Sequence, residues 1–210
     1  MENILATLAT AAITFAATNI DDIFILMLFF TQADKGFHLW HIVAGQVAGF
    51  TALVLISLLG FFGGLVIPRA WIGLLGIVPI ILGVRHWLNR AHEDELEESE
   101  KEQVRKSRRS GALAAVTSVA AITFSNGGDN LGIYTPLFAS LNLARLLLTL
   151  VVFYALLALW CLIGFLIARH KTFAHVITHY GHLIVPFVLV ALGFYIIIQN
   201  GTLSLIRIIG

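Results

Sequence analysis

The sequence predicts an all-α polytopic membrane protein, with six transmembrane helices arranged as two inverted three-helix repeats. Three observations predict it. Apolar residues make up 59% of the 210 positions and charged residues only 12%, giving a mean hydropathy of +0.91, which is too apolar for a soluble domain of this size. Charge-free windows cover residues 3–20, 36–68, 110–128, 146–168 and 172–206, and about 20 mostly apolar residues suffice for a helix to cross a bilayer. Two short polar motifs of one pattern recur far apart and divide the chain in two. A soluble helical bundle is excluded because its helices would carry polar faces, and a β-barrel because alternation of period two is absent.

The first span is placed at residues 4–31. It begins in "MENILATLAT", which lacks the basic region of a cleaved signal peptide, and it is long enough to be tilted or broken. Spans two and three follow at 39–66 and 70–89, completing a first repeat over residues 1–89. Residues 90–111 form a charged linker. Within it, "RAHEDELEESEKEQVRKSRRS" sets an acidic block before a basic one, with Glu97/Lys101 and Glu102/Lys106 at the i,i+4 spacing of a solvated helix. Spans four, five and six are placed at 112–139, 145–168 and 180–202, within a second repeat over residues 112–210.

Charge gives the expected orientation. If six spans alternate, the loops after spans one, three and five collect Lys35, Arg85, Arg90, Lys101, Arg105, Lys106, Arg108, Arg109, Arg169 and Lys171, and the other side keeps only Arg69, Arg145 and Arg207. The positive-inside rule then places the linker in the cytoplasm and both termini outside the cytoplasmic membrane. No nucleic acid partner and no cofactor are expected, and the sequence assigns no oligomeric state.

The first motif is "AATNIDDIF", residues 16–24, with Asp21 and Asp22 in the middle of an apolar span. The second is "TFSNGGDNLG", residues 123–132. At an offset of 107, Thr18 meets Ser125, Asn19 meets Asn126 and Asp22 meets Asp129, and the same offset lays "IVP" at 77–79 over "IVP" at 184–186. An internal duplication with three spans per unit inserts its halves in opposite orientations, the plan of many secondary transporters whose sites lie at the midplane.

A carboxylate at that depth costs about 2.5 to 3.5 kcal/mol on insertion scales. No Lys or Arg lies between Met1 and Asp34 or between Gly111 and Leu143, so an ion pair within these spans cannot offset the cost. A helix-gluing amide would account for Asn19 or Asn126 alone, but not for three aspartates. A bound cation would account for them: Asn19 and Asp22, like Asn126 and Asp129, are three apart and share a helix face as an oxygen-rich patch, and carboxylate, carboxamide and hydroxyl oxygens suit divalent cations. Gly127 and Gly128 would let the fourth span unwind and offer carbonyls. Pro79, Pro136 and Pro186 each withdraw a backbone hydrogen bond, with simple kinks as the plainer outcome. The candidate metal-binding set is therefore Asp22, Asp129, Asn19, Asn126, Asp21, Thr18, Ser125 and Asn130. Asp21 falls over Gly128 in the repeat and has no acidic counterpart, so it is the residue expected to exchange a proton as metal comes and goes.

"TNIDD", "NGGDN" and the following "YTPLFA" at 134–139 resemble the signatures of the cadmium resistance transporter family, within the lysine exporter superfamily of small efflux proteins. The resemblance covers essentially the whole chain. It implies export of a divalent metal, cadmium being the name-giving substrate, by a secondary transporter and not by an enzyme; the oxygen donors themselves admit zinc or manganese as well. The site itself is short of sulfur. Cadmium favours thiolate and thioether ligands, yet the sulfur atoms are those of Cys161, Met1 and Met27, and a single cysteine also excludes an internal disulfide. Harder ions fit the oxygen set at least as well. The eight histidines, His38, His41, His86, His92, His170, His175, His179 and His182, fall on or near the expected cytoplasmic side, as interfacial anchors or as a metal-collecting vestibule. Two alternatives belong to other classes: an exporter of an amino acid or other small organic solute, and an intramembrane aspartyl protease, which would predict peptide cleavage and not ion flux.

Overall fold

The two motif-bearing segments do not form single helices. In the computed structural model, which describes residues 4–20, 22–33, 37–88, 112–169 and 171–202, the first segment is α1 (Ile4–Asn19) followed by α2 (Asp22–Thr31), and the fourth is α6 (Ala112–Asn126) followed by α7 (Gly128–Ala139). Between them lie α3 (Leu39–Val66), α4 (Arg69–Ile72), one 3-10 turn (Gly73–Gly76) and α5 (Ile77–Leu88). Two further helices follow, α8 (Leu143–Arg169) and α9 (Lys171–Gln199). All regular structure among the described residues is helical.

By length and composition, α3 and α8 can each cross a membrane, and α1 with α2 forms a further apolar pair bent by 58°. The segments expected as spans three and four are interrupted, the third by the 3-10 turn and the fourth at Gly127, while the stretch expected as span six falls largely within the single helix α9. The charged linker lies outside the described residues.

The packing partners cross between the two parts of the chain. Helix α3 lies chiefly along α6 and α7, α8 lies along α2 and α1, and α5 with its preceding 3-10 turn lies along α9. Two Gly-x-x-x-Gly pairs let α3 approach closely, as small residues do between apolar helices. A Cβ on Gly45 would stand 2.8 Å from the Val116 carbonyl oxygen and one on Gly49 2.6 Å from that of Ala120. Further along α3, Gly60 and Gly64 meet the carbonyl oxygens of Thr135 and Ala139 more closely still.

Buried apolar side chains gather in two clusters. One holds Phe15, Phe50, Tyr134, Phe138 and Phe153 with Ile133, Leu157 and Leu189. Its rings are mutually in contact, with Phe15 and Phe50 5.6 Å apart and Tyr134 and Phe153 4.8 Å apart between centroids. The second holds Ile25, Leu26, Phe29, Phe37, Ile42, Val119, Ile122 and Cys161.

Candidate metal centre

A layer of polar side chains lies between the two clusters along α1 and α2, along α3, and along α6 and α7, while on α8 a tryptophan bridges them. Along α1 and α2, Thr18, Asn19 and Asp22 lie between Phe15 of one cluster and Ile25 of the other. Along α3, Gln46 lies between Phe50 and Ile42. Along α6 and α7, Thr123 and Asn130 lie between Ile122 and Ile133. On α8, Trp160 packs against both.

The layer is tied across the chain by hydrogen bonds. Tyr134, fully buried on α7, has its hydroxyl 2.8 Å from Thr18 Oγ1 and accepts from Asn19 Nδ2 at 2.7 Å. Thr18 Oγ1 also lies within hydrogen-bond reach of the Thr14 carbonyl at 3.0 Å. Asn19 Nδ2 donates to the Phe15 carbonyl as well, at 2.8 Å. Because a carbonyl only accepts, this contact fixes which way the carboxamide faces. Asn19 Oδ1 is left buried with no hydrogen-bond partner, and Asn130 Oδ1 is in the same state on the fourth segment. Each unmade acceptor costs about 1 to 3 kcal/mol.

Asp22 is 7% exposed, and Gln46 Nε2 reaches its Oδ2 at 3.5 Å, a long contact. Gln46 Oε1 accepts from Thr123 Oγ1 at 2.6 Å, which turns the Gln46 amide so that only its donor side faces the carboxylate. Asp129 is half-buried, and its Oδ1 accepts from the Asn130 backbone N–H at 2.9 Å. Both aspartates lie within electrostatic range of the Tyr134 hydroxyl. Each stands in the first turn of a helix, Asp22 of α2 and Asp129 of α7. The positive helix end there offsets about 0.3 to 1 kcal/mol, well short of the cost of a buried carboxylate.

The breaks explain this placement, and they are of two kinds. In the first segment α1 ends at Asn19, whose freed carbonyl accepts from Trp160 Nε1 at 2.7 Å. In the fourth the ladder continues past the interruption: Gly127 N–H reaches the Thr123 carbonyl at 3.1 Å, and Leu131 N–H the Gly127 carbonyl at 3.2 Å. The expected unwinding at Gly127 and Gly128 is therefore a one-residue hitch, with Gly127 at φ −76° and ψ 22°. What Gly127 supplies is room, because a Cβ there would run into the Leu53 side chain.

Of the residues expected from the sequence, Thr18, Asn19, Asp22 and Asn130 are buried in the layer, while Asn126 and Asp129 are half-buried. Ser125 is exposed: its position on α6 turns it out of the layer that its match, Thr18, occupies. Thr18 itself is engaged by Tyr134 and by its own helix. Asp21 lies outside the described residues, as do the side chains of His86, His92, His170, His175, His179 and His182. His41 is buried, and its Nδ1 accepts from the His38 backbone N–H at 2.9 Å, closing the first turn of α3. Among the described residues no three His, Cys, Asp or Glu side chains come together. The sequence reading missed Gln46, Thr123, Tyr134 and Trp160. Gln46 is the one amide in the charge-free window 36–68, and Trp160 falls inside the expected span 145–168 and not at the ends where tryptophan is favoured; both were visible signals.

A family model described as cadmium resistance transporter matches residues 15–209. No curated protein and no solved structure shows significant similarity. With the match running over nearly the whole chain, apolar helices and both motifs included, this protein belongs to the cadmium resistance transporter family, a family of membrane transporters and not of enzymes.

Proposed function

We propose that the chain exports a divalent metal cation across the cytoplasmic membrane by secondary active transport, holding the ion in the polar layer between the two apolar clusters. The observation that carries this reading is the pair of buried carboxamide oxygens without partners, Asn19 Oδ1 and Asn130 Oδ1, one from each motif segment. With Asp22 and Asp129 they make an oxygen donor set of two charges, the kind that hard and borderline divalent cations take. Asn126 extends the set. Thr18, with Tyr134, supports it from behind, and Ser125 is left out. The donor chemistry favours manganese or zinc over cadmium, which makes cadmium a toxic ion leaving by the same route.

The inverted repeat is part of the reading, and three features support it. At the offset of 107, the end of α1 at Asn19 falls on the end of α6 at Asn126. Helix α3 pairs with the broken segment of the second part of the chain, as α8 pairs with that of the first. Trp160, 107 residues after Leu53, meets the first break where Leu53 meets the second. We take the linker as cytoplasmic, both termini as external, and Asp21 as the carrier of a counter-transported proton. The test is uptake of manganese, zinc and cadmium into inside-out vesicles with and without an imposed pH gradient. Uptake of at least one metal, driven by a gradient that is acidic inside, is expected. Metal-independent flux of an amino acid, with no movement of metal, would sink the reading.

A further inference from the structure

Away from the polar layer, a cleft of about 640 Å3 opens where the C-terminal end of α2, the N-terminal end of α3 and the C-terminal end of α8 meet. Its walls include Phe30, Leu39, Trp40 and Phe165, and its polar groups are His38 and Arg169. The Arg169 guanidinium carbon stands 4.3 Å from the centroid of the Phe165 ring. Such a contact engages the face of the cation and leaves its N–H donors at the rim. The acidic side chains among the described residues, Asp22 and Asp129, stand in the two motif segments, and neither pairs with Arg169.

We propose that this cleft binds an anionic phospholipid, with the phosphate on Arg169 and the first acyl methylenes against Trp40, Leu39 and Phe165. A guanidinium is matched to phosphate by its planar fork of donors. Trp40 and Leu39 are exposed at the end of a membrane-capable helix, where an aromatic ring with one wet edge sits at the headgroup level. The volume is that of a small-molecule pocket, which run to about 300–1,000 Å3, and so takes a headgroup with the start of its chains. Metal collection, the other use open to His38, is opposed by the permanent positive charge of Arg169 in the same cleft. His41 is unable to help, being buried with Nδ1 committed to the turn. A lipid seated here clamps together the ends of three helices, one of them from the second part of the chain, and it does so independently of whether the polar layer carries metal.

The test uses the purified full chain in phosphatidylcholine vesicles containing increasing fractions of brominated phosphatidylglycerol or brominated phosphatidylcholine. Quenching of Trp40 is read as the difference between the wild type and Trp40→Phe. Half-maximal quenching is expected at about a fivefold lower fraction of the anionic lipid, the preference that ~1 kcal/mol per cation at an anionic surface gives. Arg169→Gln should quench equally with both lipids. Equal quenching of the wild type by both lipids would overturn the proposal, and this comparison decides even if the variant cannot be purified. Loss of the preference on adding inorganic phosphate would also overturn it, by showing a site for the free anion.

Discussion

Tyr134→Phe removes one oxygen and, by volume, almost nothing else, so its effect isolates the hydrogen bonds at the centre of the polar layer. Two contacts are lost, to Thr18 Oγ1 and to Asn19 Nδ2. Neutral hydrogen bonds contribute about 0.5 to 1.5 kcal/mol each, so the pair is worth roughly 1 to 3 kcal/mol. Part of this loss falls on the metal-free fold, and part on the ion if the network holds Asn19 Oδ1 in place for it. The Phe15 carbonyl still holds the Asn19 amide from one side, which limits the second share to about 1.4 kcal/mol, a tenfold weakening. Calorimetric titration of manganese and zinc into the detergent-purified protein measures it. Phe61→Leu is the control, since Phe61 lies in the same apolar cluster and makes no bond to the layer; it should lower the melting temperature and leave affinity unchanged. An additional cycle with Asn19→Ala should return a coupling energy of roughly 0.5 to 3 kcal/mol. If Tyr134→Phe binds metal as tightly as the wild type while melting earlier, Tyr134 is structural and its link to the site is wrong.

Asp22→Asn and Asp129→Asn should each abolish vesicle uptake while leaving membrane insertion intact, and a fully active Asp129→Asn protein would remove the second part of the chain from the site. Gln46→Leu should weaken metal binding by roughly tenfold, since a hydrogen bond to a charged group is worth about 1.5 to 3 kcal/mol and this one is long. Thr123→Val should follow it in the same direction and Thr123→Ser should restore affinity; equal affinities for Val and Ser would show that the Gln46 amide needs no anchor. Asp21→Asn should keep most metal binding but no longer respond to an imposed pH gradient, as read by paired titration and proteoliposome flux. For topology, Glu2→Cys should label from outside intact cells and Ser99→Cys should not, both in a Cys161→Ser background; the opposite pattern inverts the orientation.

The two motifs were legible because short polar groups in an apolar segment are expensive and stand out, and the length of the first segment and the glycines of the fourth allowed for interruptions. The kind of break was not legible. Glycine at 127 and 128 pointed to unwinding in the fourth segment, yet the hydrogen-bond ladder continues there, and a bend of 58° falls in the first, beside no glycine at all. The reason is a partner supplied from far away: Trp160 takes the freed Asn19 carbonyl, 141 residues distant in sequence, while Gly127 is small to let Leu53 in. Gln46 and Thr123 escaped for the same cause, since 77 residues separate them and only the packing of α3 on α6 makes them neighbours. The Gly-x-x-x-Gly pairs of α3 were in plain sight, but which helix they admit is a property of the whole arrangement.

The two apolar clusters on either side of the polar layer have an electrical consequence. If the layer holds the transported ion as proposed, access from either side requires one apolar cluster to wet, and the membrane voltage then falls almost entirely across the other. An ion in the layer then sits at one end of the field or the other, according to which side is wet. Moving one elementary charge through it is worth about 2.3 kcal/mol per 100 mV. A divalent ion that leaves in return for one proton carries a net charge uphill against an inside-negative potential, whereas return of two protons makes the cycle indifferent to voltage. If protons are the counter-ion as proposed, the voltage dependence of export in vesicles clamped at different potentials counts those that come back.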